Sequence, residues 1–248
     1  MIRRGGDYLA PAPVPAEAGA GWGRCADLGR FFTRRECPVP TVFGWAVMGV
    51  GAWIVLAAFV LGVHPFLAIT HPVRGELLIV EGWLPKYALE EAVELFRAGG
   101  YRQMVTVGGP IPKESYLADL LPEFDSLAQV SAAMLVKMGV AEGRIAAVPV
   151  RPVPRNRTYT SGMALREWLL ARAPSAESVD VFSLGPHARR SRLLFERAFE
   201  GRVRVGVVAC VDRSYDPRRW WMSSAGGRKV FGEVLAYLYA TVPFFIGD

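Results

Sequence analysis

Between Phe43 and Ile69 the chain carries no Asp, Glu, Lys or Arg. The stretch GWAVMGVGAWIVLAAFVLGV within it is long enough, as a helix, to cross a hydrocarbon layer of about 30 Å. A transmembrane helix is therefore expected over 43–69, with the lipid bilayer as its partner. A cleaved signal peptide has a shorter apolar core close to the N-terminus. This run follows about forty residues, so retention as an anchor is expected. His64 and Pro65 stand at its exit end and read as an interfacial histidine and a helix stop.

Charge orients the anchor. Arg24, Arg30, Arg34 and Arg35 precede it, whereas Arg74 is the one basic side chain between it and Lys86. The positive-inside rule then places the N-terminus in the cytoplasm, the span in the cytoplasmic membrane and the following domain outside. Residues 1–42 include APAPVPAEAGAGWG and show no sustained periodicity, the composition of a disordered cytoplasmic tail.

The rest of the composition narrows function. Apolar residues make up 52% of the chain and the mean hydropathy is +0.22, more than a wholly soluble domain requires. A net charge of +6 and a pI near 9.5 suit nucleic acid, anionic lipid or an anionic small ligand. No zinc-finger spacing, RNP motif or long Lys/Arg run supports nucleic acid, which is not expected as a partner. Cys25, Cys37 and Cys210 form no CxxC pair, and Cys210 on its apolar strand reads as an inert core residue. With only three histidines no metal site is expected, although carboxylate sites for magnesium stay open. A dinucleotide fingerprint is absent, which disfavours NAD, and the sequence names no cofactor.

From about Arg74 short apolar runs alternate with helical patterns, the signature of βαβ units around a mostly parallel sheet. Strands are expected at Leu77–Val80, Met104–Val107, Ile145–Val148, Val179–Ser183 and Val203–Val208. Leu89, Ala92, Val93 and Phe96 recur at helical spacing, with Gly99 and Gly100 as a stop. Ser126 caps a helix reaching Met138; further helices run over Thr158–Ala171, Ala188–Phe199 and about Lys229–Thr241. The expected fold class is α/β: one Rossmann-like three-layer sandwich over 74–248, preceded by the transmembrane helix.

In such folds ligands bind beyond the carboxyl ends of the strands. The first strand leads into Glu81-Gly82-Trp83, where Glu81 suits a general base or a sugar-hydroxyl acceptor, or alternatively a cap on the next helix. Gly108 and Gly109 follow the second strand and permit close backbone approach, as any ordinary turn would. Beyond the third strand, Arg155, Asn156, Arg157 and Thr158 open a helix. There they can bind a phosphate or carboxylate, or merely supply a cap and solvated charges. The fourth strand ends in SLGPHARR, whose His187 suits proton transfer and whose Arg190 suits an anion. Asp212, Tyr215, Asp216, Arg218, Arg219, Trp220 and Trp221 form a late polar-aromatic loop. It fits a lid, a headgroup contact or simple packing under the last helix.

The segments LLIVEGW, VTVGGP, MLVKMGVAEGRI, NRTYTSGMALREWL and VFSLGPHARRSRLLFERAF together resemble the ElyC/SanA/YdcF family of bacterial envelope-associated proteins. The resemblance runs from about Leu77 to the C-terminus, and Thr158, His187 and Arg190 match the family pattern. Glu81, Gly82 and Trp83 stand where the family has a Gly pair, and Thr160 and Ser161 where it has Glu and Asn. The resemblance implies a Rossmann-like domain and a role in envelope integrity, including peptidoglycan or lipid-linked polysaccharide metabolism. For some members it implies binding of a nucleotide-like ligand such as S-adenosylmethionine.

Three functions follow from this reading. One is processing of an anionic substrate, phosphorylated or lipid-linked, with His187 and Glu81 catalytic and Gly82, Gly108, Gly109, Arg155, Asn156, Arg157, Thr158 and Arg190 binding. Another is a binding module without turnover. The third is a scaffold that uses Trp220 and Trp221.

Overall fold

The computed structural model describes residues 40–242, the side chains of residues 116 and 117 excepted. The tail expected over 1–42 lies, as far as residue 39, outside the described residues. Contacts divide the chain into two compact units, one ending at Gly49 and one beginning at Val50. In the first, the Thr41 hydroxyl accepts from the Gly44 N–H at 3.2 Å and so caps the helix that begins there.

That helix, α1, spans Val42–Leu67. It is long and apolar enough to cross a membrane, and most of its side chains are exposed. Pro65 does not stop it: the helix continues to Leu67, and the Ala68 N–H still reaches the His64 carbonyl at 2.8 Å. At the same end of the helix the His64 Nε2 meets the Tyr215 hydroxyl at 3.0 Å.

Five parallel strands follow: β1 (Leu77–Glu81), β2 (Gln103–Gly108), β3 (Ile145–Pro149), β4 (Ser178–Leu184) and β5 (Arg204–Cys210). They lie in the order β3-β2-β1-β4-β5, a Rossmann-like sheet. Between them run α2 (Lys86–Ala98), the short α3 (Tyr116–Leu120), α4 (Leu127–Lys137), α5 (Arg157–Arg172) and α6 (Ala188–Phe199), with α7 (Ser224–Thr241) last.

The two faces of β1 show why both sides must be covered. Leu77 and Ile79 join Leu165, Leu169, Phe195 and Phe199 of α5 and α6, whereas Leu78 and Val80 join Leu89, Ala92, Phe96 and Leu135 of α2 and α4. All four β1 side chains are fully buried. The α2 stripe behaves as its spacing predicts, and Gly99 closes that helix. At α4 the Ser126 cap is a full capping box, with the Gln129 N–H donating to the Ser126 hydroxyl and the Gln129 side chain accepting from the Ser126 N–H. Helix α7 begins at Ser224, five residues before the Lys229 start expected from its apolar pattern. Its N-cap, Ser223, accepts from the Gly226 N–H at 3.0 Å.

The segment between α1 and β1 is no loose tether. His71 exchanges two backbone hydrogen bonds with Val207, at 2.7 and 3.1 Å, and the Thr70 hydroxyl accepts from the Ala209 N–H. Asp180, fully buried on β4, accepts from the Val73 N–H at 2.7 Å, the Gly75 N–H at 2.8 Å and the Tyr101 hydroxyl at 3.1 Å. Opposite it on β5 stands Gly206, where a Cβ would lie 1.9 Å from the Asp180 carboxylate. Only glycine leaves that carboxylate room.

Candidate functional site

The chain builds β1, β2 and β3 outward in one direction, then returns to add β4 and β5 on the other side of β1. The strand order therefore reverses between β1 and β4, and their carboxyl ends part to leave a crevice. Glu81 ends β1 and Ser183 lies near the end of β4, so both stand at that switch point.

Glu81 is 4% exposed and is held from three sides. The hydroxyls of Ser183 and Ser191 donate to it, the latter at 3.0 Å, and His187 Nε2 stands 3.5 Å away. It does not cap α2, whose N-cap position is Pro85. Burial alone would raise its pKa, but the imidazolium and the hydroxyl donors outweigh that and hold the carboxyl below its usual range.

His187 occupies a 3-10 turn, Gly185–His187, immediately before α6. Gly185 enters the turn at φ +49, beside Asp212, in a conformation glycine adopts without cost. The imidazole Nδ1 lies 2.9 Å from a Glu233 carboxylate oxygen, and the ring sits between that group and Glu81. Burial opposes its charge, but the two carboxylates prevail and push its pKa up to about 9. At neutral pH it is an imidazolium. The Trp83 indole meets it edge to face, with ring centroids 5.1 Å apart.

Arg190, in the first turn of α6, completes the arrangement. Its guanidinium donates to both oxygens of Glu233, at 2.8 and 3.2 Å, and approaches the Thr158 hydroxyl at 3.5 Å. Between His187 and Arg190, Glu233 is held down at about 2 despite its burial. Arg190 thus spends Nε and Nη2 on a carboxylate, while Nη1 makes only the 3.5 Å approach to Thr158.

The free cations stand elsewhere on the rim. Arg151, Arg155 and Arg157 line the crevice and are exposed; among the described residues none has a hydrogen bond or ion pair. Asn156, directly before α5, takes the left-handed conformation at φ 54 and makes no side-chain cap bond to the helix. The cap alternative for Asn156 is therefore not what forms, and the α5 N-terminus faces the crevice with arginines on both sides of it.

The crevice encloses about 940 Å³ and brings together Glu81, Gly108, Gly109, Arg155, Asn156, Arg157, Thr158, His187 and Arg190. Gly82 does not join them. A Cβ there would lie 2.9 Å from the backbone of Leu127 and Ala128, so Gly82 serves the packing of β1 against α4. Gly108 does the same on β2, with a Cβ position 2.9 Å from the Ala128 nitrogen, while Gly109 opens into free space. Among the described residues no group of three His, Cys, Asp or Glu side chains could hold a metal ion.

Sequence reasoning missed Glu233, Ser191 and Arg151. Glu233 had a signal: it is the sole acidic residue in the α7 sequence SAGGRKVFGEVLAYLYAT, and a carboxylate on an apolar helix needs an inward partner. The late loop is not a lid over the crevice. Trp220 is buried against Val230 and the end of α1, with Nε1 donating to the Val60 carbonyl at 3.0 Å, as the packing alternative has it, whereas Trp221 stays exposed and is not packed under the last helix. Cys210 is buried, donates to Glu91 and has a thiol pushed up to about 12, the inert residue its strand suggested.

Fold and site together define a class: a parallel α/β domain with a cation-rimmed crevice at its topological switch point, carried on an apolar helix of membrane-spanning length. No protein-family model matches the chain, and no curated protein matches it.

Proposed function

We propose that the crevice binds an anionic, phosphorylated ligand and that His187 delivers a proton to it. The observation that carries this reading is the division of labour among cations. Arg190 and His187 are neutralised by Glu233 and Glu81, while Arg151, Arg155 and Arg157 face the crevice with no partner among the described residues. A dianion suits three guanidiniums and a helix N-terminus. His187, charged at neutral pH, is poised as an acid, and the long 3.5 Å contact leaves Nε2–H able to turn toward a ligand oxygen. Glu81, saturated by its donors, keeps the imidazole protonated and oriented and is not itself the base.

The sequence resemblance to the ElyC/SanA/YdcF family supports placing this chemistry in the bacterial envelope, on a phosphorylated or lipid-linked precursor. The arginine asymmetry around α1 supports a domain outside the cytoplasmic membrane. A binding module without turnover is favoured by one feature, the ion pairing that already satisfies His187 on both sides.

Full-length protein in detergent, titrated with inorganic pyrophosphate and assayed on p-nitrophenyl phosphate, tests the reading. Arg155→Ala with Arg157→Ala should weaken pyrophosphate at least tenfold. His187→Ala should abolish turnover at unchanged affinity if the protein is an enzyme. Loss of binding in a protein that never turns over assigns the module instead, and no anion binding at all removes both.

A further inference from the structure

Helix α7 has two unlike faces. Glu233, Val230 and Val234 point inward, whereas Phe231, Leu235 and Leu238 are each more than half exposed. Just ahead of the helix, Trp221 and Met222 are exposed as well, Met222 at 70%. Nothing among the described residues covers this strip, and large apolar side chains exposed side by side mark a contact.

Its position relative to α1 identifies the contact. Trp220 bonds the Val60 carbonyl, stacks edge to face on Phe231 at 5.4 Å and on Trp221 at 5.9 Å, while Phe66 meets Tyr237 at 5.7 Å. Residues 231–237 of α7 therefore run beside residues 60–66 of α1. Helix α1 has 26 residues, about 39 Å at 1.5 Å per residue, against a hydrocarbon layer of about 30 Å. Val60 lies about 10 Å along the axis before the Leu67 end of the helix, and so still within the apolar layer or at its edge. Whatever packs at the level of Val60 is at the same depth. The hydrogen-bonded segment from Thr70 to Gly75 prevents the domain from swinging away.

Charge agrees with that placement. Arg218, Arg219 and Arg228 are exposed around the strip, and Arg189 stacks 3.9 Å above the Phe66 ring, against exposed Asp216 as the acid in this neighbourhood; Lys229 is paired with Asp212. Basic side chains with exposed Trp suit a headgroup layer containing anionic lipid.

We infer that Trp221, Met222, Phe231 and Leu235 form a second membrane contact, seating the domain in the headgroup layer of the bilayer that α1 crosses. The helix that carries Glu233 into the crevice thus rests on lipid by its other face, and the crevice opens beside the membrane surface.

The test uses the full chain in vesicles of phosphatidylcholine and phosphatidylglycerol, in a Cys25→Ser, Cys37→Ser background. An environment-sensitive fluorophore is placed at Met222→Cys, Leu235→Cys or, as an apolar exposed control on α5, Leu170→Cys. Labels at 222 and 235 should emit to the blue and be quenched severalfold more by shallow nitroxide lipids than the label at 170, with 222 the deeper. Wild-type protein with a carbene-generating phospholipid should be labelled on peptides covering 221–238 as well as on α1, which checks the seating without substitution. Equal quenching at all three positions, or lipid labelling confined to α1, overturns the inference. So does burial of the strip that appears only at high protein-to-lipid ratio with cross-links between copies, because a second copy would then be the occupant. None of these outcomes depends on the crevice ligand.

Discussion

Asp180 and Glu81 lie on adjacent strands, β4 and β1, and neither is more than 4% exposed. Asp180 accepts from two backbone N–H groups and the Tyr101 hydroxyl, partners that do not change charge near neutral pH. Glu81 accepts from two serine hydroxyls and faces an imidazole. The first arrangement fixes where the anchor joins the sheet. The second holds a proton at the edge of a crevice. Burial of a carboxyl group is common to both, so it is the kind of partner, and whether that partner reaches open space, that separates a structural side chain from a chemical one.

The contrast can be broken most forcefully at Asp180. Asp180→Ala strands two buried N–H groups and a hydroxyl, and should cost about 4 kcal/mol or more in chemical denaturation in detergent. An unchanged midpoint would mean the junction is held by other bonds. At Glu81 the effect should be smaller in stability and larger in chemistry. Glu81→Gln should cost roughly 1–3 kcal/mol and drop the His187 pKa by more than a unit, read from the imidazole NMR titration. If the pKa stays near 9, Glu233 alone sustains it and Glu81 belongs with Asp180.

A third outcome concerns pH. The folded pKa of His187 lies above its ordinary value of 6.5, so the stability it contributes is complete below pH 6.5 and fades as pH rises through about 9. Glu233 contributes in the opposite sense, fully above its ordinary value of 4.5 and fading toward pH 2. Denaturation midpoints should therefore decline from pH 6.5 to 9, and His187→Gln should flatten that decline. The smallest stability effect belongs to the rim: Arg155→Ala and Arg157→Ala should each stay within about 0.5 kcal/mol of wild type. A clear gain in stability would show that the arginines repel one another across the crevice and would sharpen the case for an anion.

Much of the fold was legible because it rests on local periodicity. The apolar runs at Leu77, Met104, Ile145 and Val179, the α2 stripe, and the Ser126 cap all report their state through neighbours a few residues away. Turns at strand ends were legible too, since a parallel sheet directs them to one rim. The partners of those turns were not. Glu233 lies 46 residues from His187 and Asp180 lies 105 residues from Gly75, and no spacing rule spans such distances. The glycines at 82 and 108 belong to the same case: what requires them is the approach of the α4 backbone at Ala128, a contact no local pattern announces.

What the sequence determined by itself is therefore a helix fit to cross a membrane, five strands alternating with helices, and the rim on which chemistry can gather. These depend on hydrophobic pattern and backbone propensity along the chain. Only the tertiary structure decided that His187 is charged, that Arg190 pairs with Glu233 while Arg155 and Arg157 find no partner among the described residues, and that the domain grips the end of α1. Charge states and pairings depend on which groups meet across the sheet and how little water reaches them, and both are properties of the packed molecule.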